Sequence, residues 1–150
     1  MKTLRSYSLG FNPYAKEALE LAEAEPTRRN HNFIGDEHLL FGIAACLDPL
    51  VGDIFENLGI TLAEVRDKIR DNIGIGPDQA HPGETPCTPR VKELLQQARE
   101  EAVMLDTDEV CPIHILLAIM RDKDGTAATL IRQFGITLED LERAFRVVSL

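Results

Sequence analysis

Apolar positions recur at helical spacing in eight stretches of this chain, and the last four stretches echo the first four. "NPYAKEALELA" places Ala15, Ala18, Leu19 and Ala22 on one helical stripe behind Asn12, a good N-cap, and Pro13, which suits the first helical position. "TPRVKELLQQA" does the same with Val91, Leu94, Leu95 and Ala98 behind Thr88 and Pro89. "DEHLLFGIAACL" predicts a second helix capped by Asp36, with Leu39, Leu40, Ile43 and Leu47 inward; "PIHILLAIMRD" matches it, with Pro112 in the first turn and Ile115, Leu116 and Ile119 inward. A third helix starts after Asp48-Pro49 and ends at Gly59, a residue suited to the left-handed C′ position, and Gly135 plays the same part later. The fourth opens on Thr61 and Glu64 at capping-box spacing, with Leu62, Val65 and Ile69 inward. Its echo has Thr137 with Asp140, then Leu138, Leu141 and Phe145.

"GITLAEVRDKI" at Gly59 returns as "GITLEDLERAF" at Gly135, 76 residues on, and the same offset holds without a gap across most of each half. Leu40 falls on Leu116, His38 on His114, Leu19 on Leu95 and Pro13 on Pro89. A register held that long marks a tandem duplication. The predicted fold is all-α: a pseudo-twofold tandem repeat of two four-helix units, residues 11–73 and 87–149, joined by a Gly- and Pro-rich linker over 74–86 within a single domain spanning 1–150. One such unit buries too little surface to stand comfortably alone. Pro26 breaks the symmetry, because Ala102 stands at its counterpart; the first helix is expected to stop or kink near Glu25 and its partner to run to about Leu105.

Composition narrows the function classes. With 44% apolar residues, 5% aromatics and no Trp, the core must be built mainly from Leu, Ile, Val and Ala. A net charge of −9 repels phosphate backbones, so nucleic acid is not an expected partner. No apolar run reaches the ~20 residues that span a bilayer, so no membrane partner is expected, and "MKTLRSYSLGF" lacks the apolar core of a secretory signal. Three scattered cysteines, Cys46, Cys87 and Cys111, fit a reducing, cytoplasmic location. His38 and His114 read as imidazoles packed at helix starts with local hydrogen bonds. "CPIH", Cys111 to His114, is half a zinc pattern without a close second pair, so no metal or cofactor is expected. Cys111 precedes a helix, but Gly35 holds the matching place, so the fold does not require a thiol there and no catalytic residue is expected. Glu17, Glu20, Glu23 and Glu25 read as the solvated face of the first helix.

"NHNFIGDEHLLFGI", followed by "LGITLAEVRDKI" and a second copy opened by "TPRVKELLQQAREEA", resembles the Clp N-terminal (Clp repeat) domain of ClpA, ClpB and ClpC unfoldases, the ClpC type most closely. The resemblance implies a module without chemistry of its own, which receives adaptor proteins or protein substrates for a Clp-family unfoldase feeding a ClpP-type protease. The chain carries no GxxxxGK(S/T) phosphate loop, so it would not hydrolyse ATP by the family's route. It reads as a freestanding double-repeat protein, similar to the plastid ClpT accessory subunits (in the plastid stroma rather than the cytoplasm if the source is a plant). The alternative is the excised N-terminal domain of a full-length ClpC-like AAA+ unfoldase, and the end at "RVVSL" fits either. A small Cys/His enzyme is the reading from another class.

The resemblance also implies a candidate phosphoarginine site in each repeat. A glutamate before the repeat's histidine meets the guanidinium, and a threonine opening the first helix meets the phosphate. Taken repeat by repeat, the first keeps Glu37 but has Asn12 for the threonine, and the second keeps Thr88 but has Ile113 for the glutamate. One site at most is expected to bind, through Glu37.

Overall fold

A computed structural model of the chain describes residues 4–28, 33–73 and 87–149; the expected linker lies outside them. After a short 3-10 turn, Leu4–Tyr7, come α1 (Pro13–Arg28), α2 (Asp36–Ala45), α3 (Pro49–Asn57) and α4 (Leu62–Ile73), then α5 (Pro89–Met104), α6 (Pro112–Arg121), α7 (Thr126–Arg132) and α8 (Leu138–Val148). The described residues form no strand, and the fold is all-α, with eight helices. The starts of α5, α6 and α8 follow those of α1, α2 and α4 by 76 residues.

Four of the expected N-caps, Asn12, Thr88, Thr61 and Thr137, sit where the sequence places them. Asn12 Oδ1 accepts from Ala15 N at 2.8 Å and Thr88 Oγ1 from Val91 N at 3.3 Å. Thr61 and Glu64 cap reciprocally at 3.1 and 3.3 Å, and Thr137 and Asp140 do so at 3.1 and 2.9 Å. Gly59 takes φ +81°, with Ile60 N donating to Phe55 O and Gly59 N to Glu56 O, the paired bonds of a Schellman end.

One buried cluster runs through both halves. The halves also interlock: α3 packs on α8, and α4 on α7. This supplies the burial that a single four-helix unit lacks.

Four local expectations are corrected. First, α1 does not stop at Glu25 but continues through Pro26 to Arg28, matching the 16 residues of α5. Pro26 lies so near the helix end that the hydrogen bond it removes belongs to the last turns, where carbonyls are already losing partners. Second, Glu25 is buried beside Arg70, at 4.0 Å, and is not on the solvated face. Third, Leu47 turns outward at φ 58° and is 66% exposed, because α2 ends at Ala45 and buried Cys46 takes the inward place.

Fourth, Asp36 does not cap its own helix; Gly35 is the N-cap of α2. The buried Asp36 carboxylate instead crosses to the other repeat, where Oδ2 accepts from Ala127 N at 2.9 Å. The α7 N-cap, Gly125, has no side chain to offer, and a Cβ there would lie 2.8 Å from Asp36 Oδ2. In the first repeat Asp48 caps α3 locally, accepting from Leu50 N. Asp36→Ala should therefore cost about 1–2 kcal/mol. Asp36→Asn, which keeps an acceptor, should cost clearly less. Equal losses in urea unfolding would mean that the cap carries no weight.

Candidate functional site

Two isolated parallel bridges decide how the helix N-termini meet. Phe11 pairs with Val110, and Ile34 pairs with Cys87. Asn12 N donates to Val110 O at 2.9 Å and Thr88 N to Ile34 O at 3.0 Å. Each bridge joins a segment of one repeat to a segment of the other, and each segment leads at once into a helix. The α2 start is thereby laid beside that of α5, and the α1 start beside that of α6. The within-repeat pairing expected from sequence is crossed. Glu37, in the first turn of α2, lies on the side of Thr88, the N-cap of α5; Asn12 lies on the side of Ile113, which is buried.

Around Glu37 the backbone and side chains are closely arranged. His38 is fully buried, and its Nδ1 accepts from Gly35 N at 2.9 Å. The imidazole thus fills the place that a glutamate holds in a capping box, and an accepting Nδ1 carries no proton. His114 repeats this with Cys111 N at 2.8 Å, and burial holds its pKa below the usual histidine value. The Glu37 carboxylate folds back over the helix start, within 2.7–2.8 Å of where a Cβ on Gly35 would lie. Burial pushes its pKa up to about 7, helped by the neighbouring Asp36. Phe33 forms an edge contact with the His38 ring, centroids 5.8 Å apart, and is 40% exposed beside this turn. In the first turn of α5, Arg90 is paired with Asp122.

A carboxylate, an aromatic face and the amide-rich start of α5 suit a planar cation that carries an anionic group. An open cleft of about 540 Å³ between α5 and α6 begins at Pro89 and Arg90 and continues past Leu94 and Ala118 to Gln97 and Arg121. Arg121 there is paired with the buried Glu101, the counterpart of Glu25. Sequence reasoning missed Phe33, Arg90 and the Glu25 and Glu101 pairings. The last were signalled by a carboxylate three residues beyond the buried Ala22 and again beyond Ala98, on the same stripe.

Cys111 faces away from nucleophilic chemistry. Burial raises its thiol pKa, Sγ points at Glu109 O at 3.8 Å, and His114 takes the backbone N–H rather than the thiol proton. Among the described residues no three His, Cys, Asp or Glu side chains gather as a metal set, and no single helix is long and apolar enough to cross a membrane.

An interlocked pair of four-helix units with paired helix N-termini is the fold of a known domain class. The family model for the Clp repeat (R) N-terminal domain matches residues 10–133 and again 87–148, and the chain belongs to that family. A probable ATP-dependent Clp protease ATP-binding subunit of Chlamydia pneumoniae is 32% identical over 89% of this chain and 16% of its own length. A ClpA homologue of Cyanidium caldarium, also named as an ATP-binding subunit of the Clp protease, is 34% identical over 87% of this chain and 15% of its own length. The chain thus spans about a sixth of these curated relatives. Among solved structures, the N-domain of ClpV from Vibrio cholerae aligns with TM-score 0.76 at 26% identity, covering 97% of this chain and 88% of that one. A ClpV N-domain in complex with a VipB peptide aligns with TM-score 0.74 at 26% identity, covering 97% of this chain and 90% of that one.

Proposed function

We propose that this chain is a non-catalytic protein-binding module of a Clp unfoldase–protease system, docking adaptors or substrates, and that it reads phosphorylated arginine once, where Glu37 and Thr88 meet. The observation that carries this reading is the crossed backbone pairing. Ile34 and Cys87 bring the α2 and α5 starts together, so the carboxylate and the hydroxyl that the family's site requires lie on one side of the domain. The other junction offers Asn12 and Ile113, and neither residue meets that requirement. The ClpV N-domain in complex with a VipB peptide supports peptide docking as the use of this fold.

Calorimetric titration with phosphoarginine should give a stoichiometry near one. Thr88→Ala should weaken binding about 10-fold through the lost phosphate contact, whereas Asn12→Ala should leave it unchanged. If Asn12→Ala were the damaging change, the within-repeat pairing would be the correct one. If no phosphoarginine bound, that ligand would be excluded for this chain.

A second reading, that these residues form the front of a longer Clp-type ATPase, rests on the small share of the relatives' length that they cover. The same site would then present substrates to an attached motor rather than to a separate one.

A further inference from the structure

At the far end of α5 from Thr88, four exposed apolar side chains occupy one corner of the protein: Leu9, Val103, Met104 and Leu105, with Leu9 84% and Val103 77% exposed. They are held in place by the structure around them. Arg99 donates through Nη1 to Leu9 O at 2.6 Å and through Nη2 to Tyr7 O at 2.7 Å, while its guanidinium lies over the Phe11 ring at 5.0 Å. This fixes the turn that carries Leu9 against α5, and Val103 follows Arg99 by one helical turn on the same face. The helix then closes in a Schellman end, with Asp106 N donating to Val103 O at 3.0 Å and Thr107 N to Ala102 O at 2.9 Å. Asp106 holds the left-handed conformation, φ 55°, that this end requires.

Among the described residues the rim along the end of α5 is acidic, while Arg99, beside Leu9, is spent on the Leu9 and Tyr7 carbonyls and the Phe11 ring. Glu100, Asp106, Asp108 and Glu109 are all exposed, and no Lys or Arg occurs between Glu100 and Cys111. An apolar strip bounded by carboxylates favours one kind of occupant. A second copy of this chain would set carboxylates against carboxylates, and anionic lipid or nucleic acid meets the same repulsion. We infer that this corner docks a cationic amphipathic segment of a partner protein, whose apolar side chains cover Leu9, Val103 and Met104 while its Lys or Arg residues meet the acidic rim. The surface lies about 24 Å along α5 from the Glu37–Thr88 junction, so it does not depend on that site.

The test uses the full chain and a fluorescently labelled helical peptide with Leu on one face and Lys on the other, read by anisotropy. The protein should bind it, and binding should weaken as salt is raised from about 0.05 to 0.5 M, where the Debye length shrinks several-fold. The exposed pair Val103→Glu with Met104→Glu should reduce affinity at least ~10-fold. Glu56→Lys, on the exposed end of α3, should change it less than ~2-fold. Absence of binding, equal binding of a peptide with Glu in place of Lys, or unchanged affinity in the double variant would overturn the inference. So would sedimentation showing a dimer that the double variant dissolves, since the occupant would then be a second copy.

Discussion

Gly42→Ala should cost at least ~4 kcal/mol, enough to take most of the margin of an ordinary domain, and should show as a large loss of melting temperature or of soluble protein. A methyl group there would lie 2.0 Å from Ala18 O, 3.0 Å from Ala18 C and 3.1 Å from Ala22 N. All three atoms belong to the backbone of α1, so no side chain can rotate away, and α1 and α2 would have to separate. Separation would open the interface built on Ala15, Ala18, Leu19 and Ala22, all fully buried. The duplication supplies the control. Ala118 occupies the matching place 76 residues on and is buried with its methyl accommodated between α5 and α6. Ala118→Gly should cost only about 1 kcal/mol, mainly in helix propensity. A Gly42→Ala protein melting close to the parent would show that the two helices are not in this close contact.

That asymmetry was written in the sequence as a glycine inside an otherwise good helix, a position that costs stability unless packing requires it. Local signals were the most legible. The threonine caps, the left-handed Gly59 and Gly135, and the buried stripes depend on residues within one or two turns, and they lie where spacing places them. Leu47 failed because periodicity does not say where a helix stops; two residues beyond Ala45, past the Cys46 C-cap, the left-handed backbone turns the side chain outward. Asp36 failed for a different reason. It is an ideal cap by type, but its acceptor is spent 91 residues away, on a helix whose own N-cap is a glycine.

The crossing of the candidate site belongs to this last kind. Asn12 and Glu37 share a repeat in the sequence, and nothing local reveals that the bridges at Phe11 and Ile34 exchange partners between halves. Duplication gives two equal copies of each motif. How the copies dock determines which glutamate meets which threonine, and docking is a property of the assembled core.

Glu37→Gln should abolish phosphoarginine binding and at the same time stabilise the protein by roughly 2–3 kcal/mol at about pH 8. The carboxyl titrates at about 7 in the folded chain, raised from an ordinary 4.5 first by burial and further by Asp36, and its side chain is 16% exposed. A group whose pKa is raised by folding favours the native state while it is protonated. That contribution is complete below about pH 4.5 and is lost as pH rises through about 7. Glutamine does not titrate, so the two proteins should be equally stable in acid, diverge across this window and stay apart above it. Binding should run the other way. A guanidinium is held by the ionised carboxylate, so the parent's affinity should rise about tenfold between pH 6 and 8 as Glu37 loses its proton. The neutral amide offers no charge at any pH. Urea unfolding of both proteins across this range, with calorimetric titration at each end, reads both effects together. A variant less stable than the parent at pH 8 would make Glu37 a structural residue favoured by the start of α2, and binding that survives the substitution would place the guanidinium elsewhere. Stabilisation accompanied by loss of ligand is the signature of a carboxylate kept half-buried at a cost to the fold because a cation is meant to meet it.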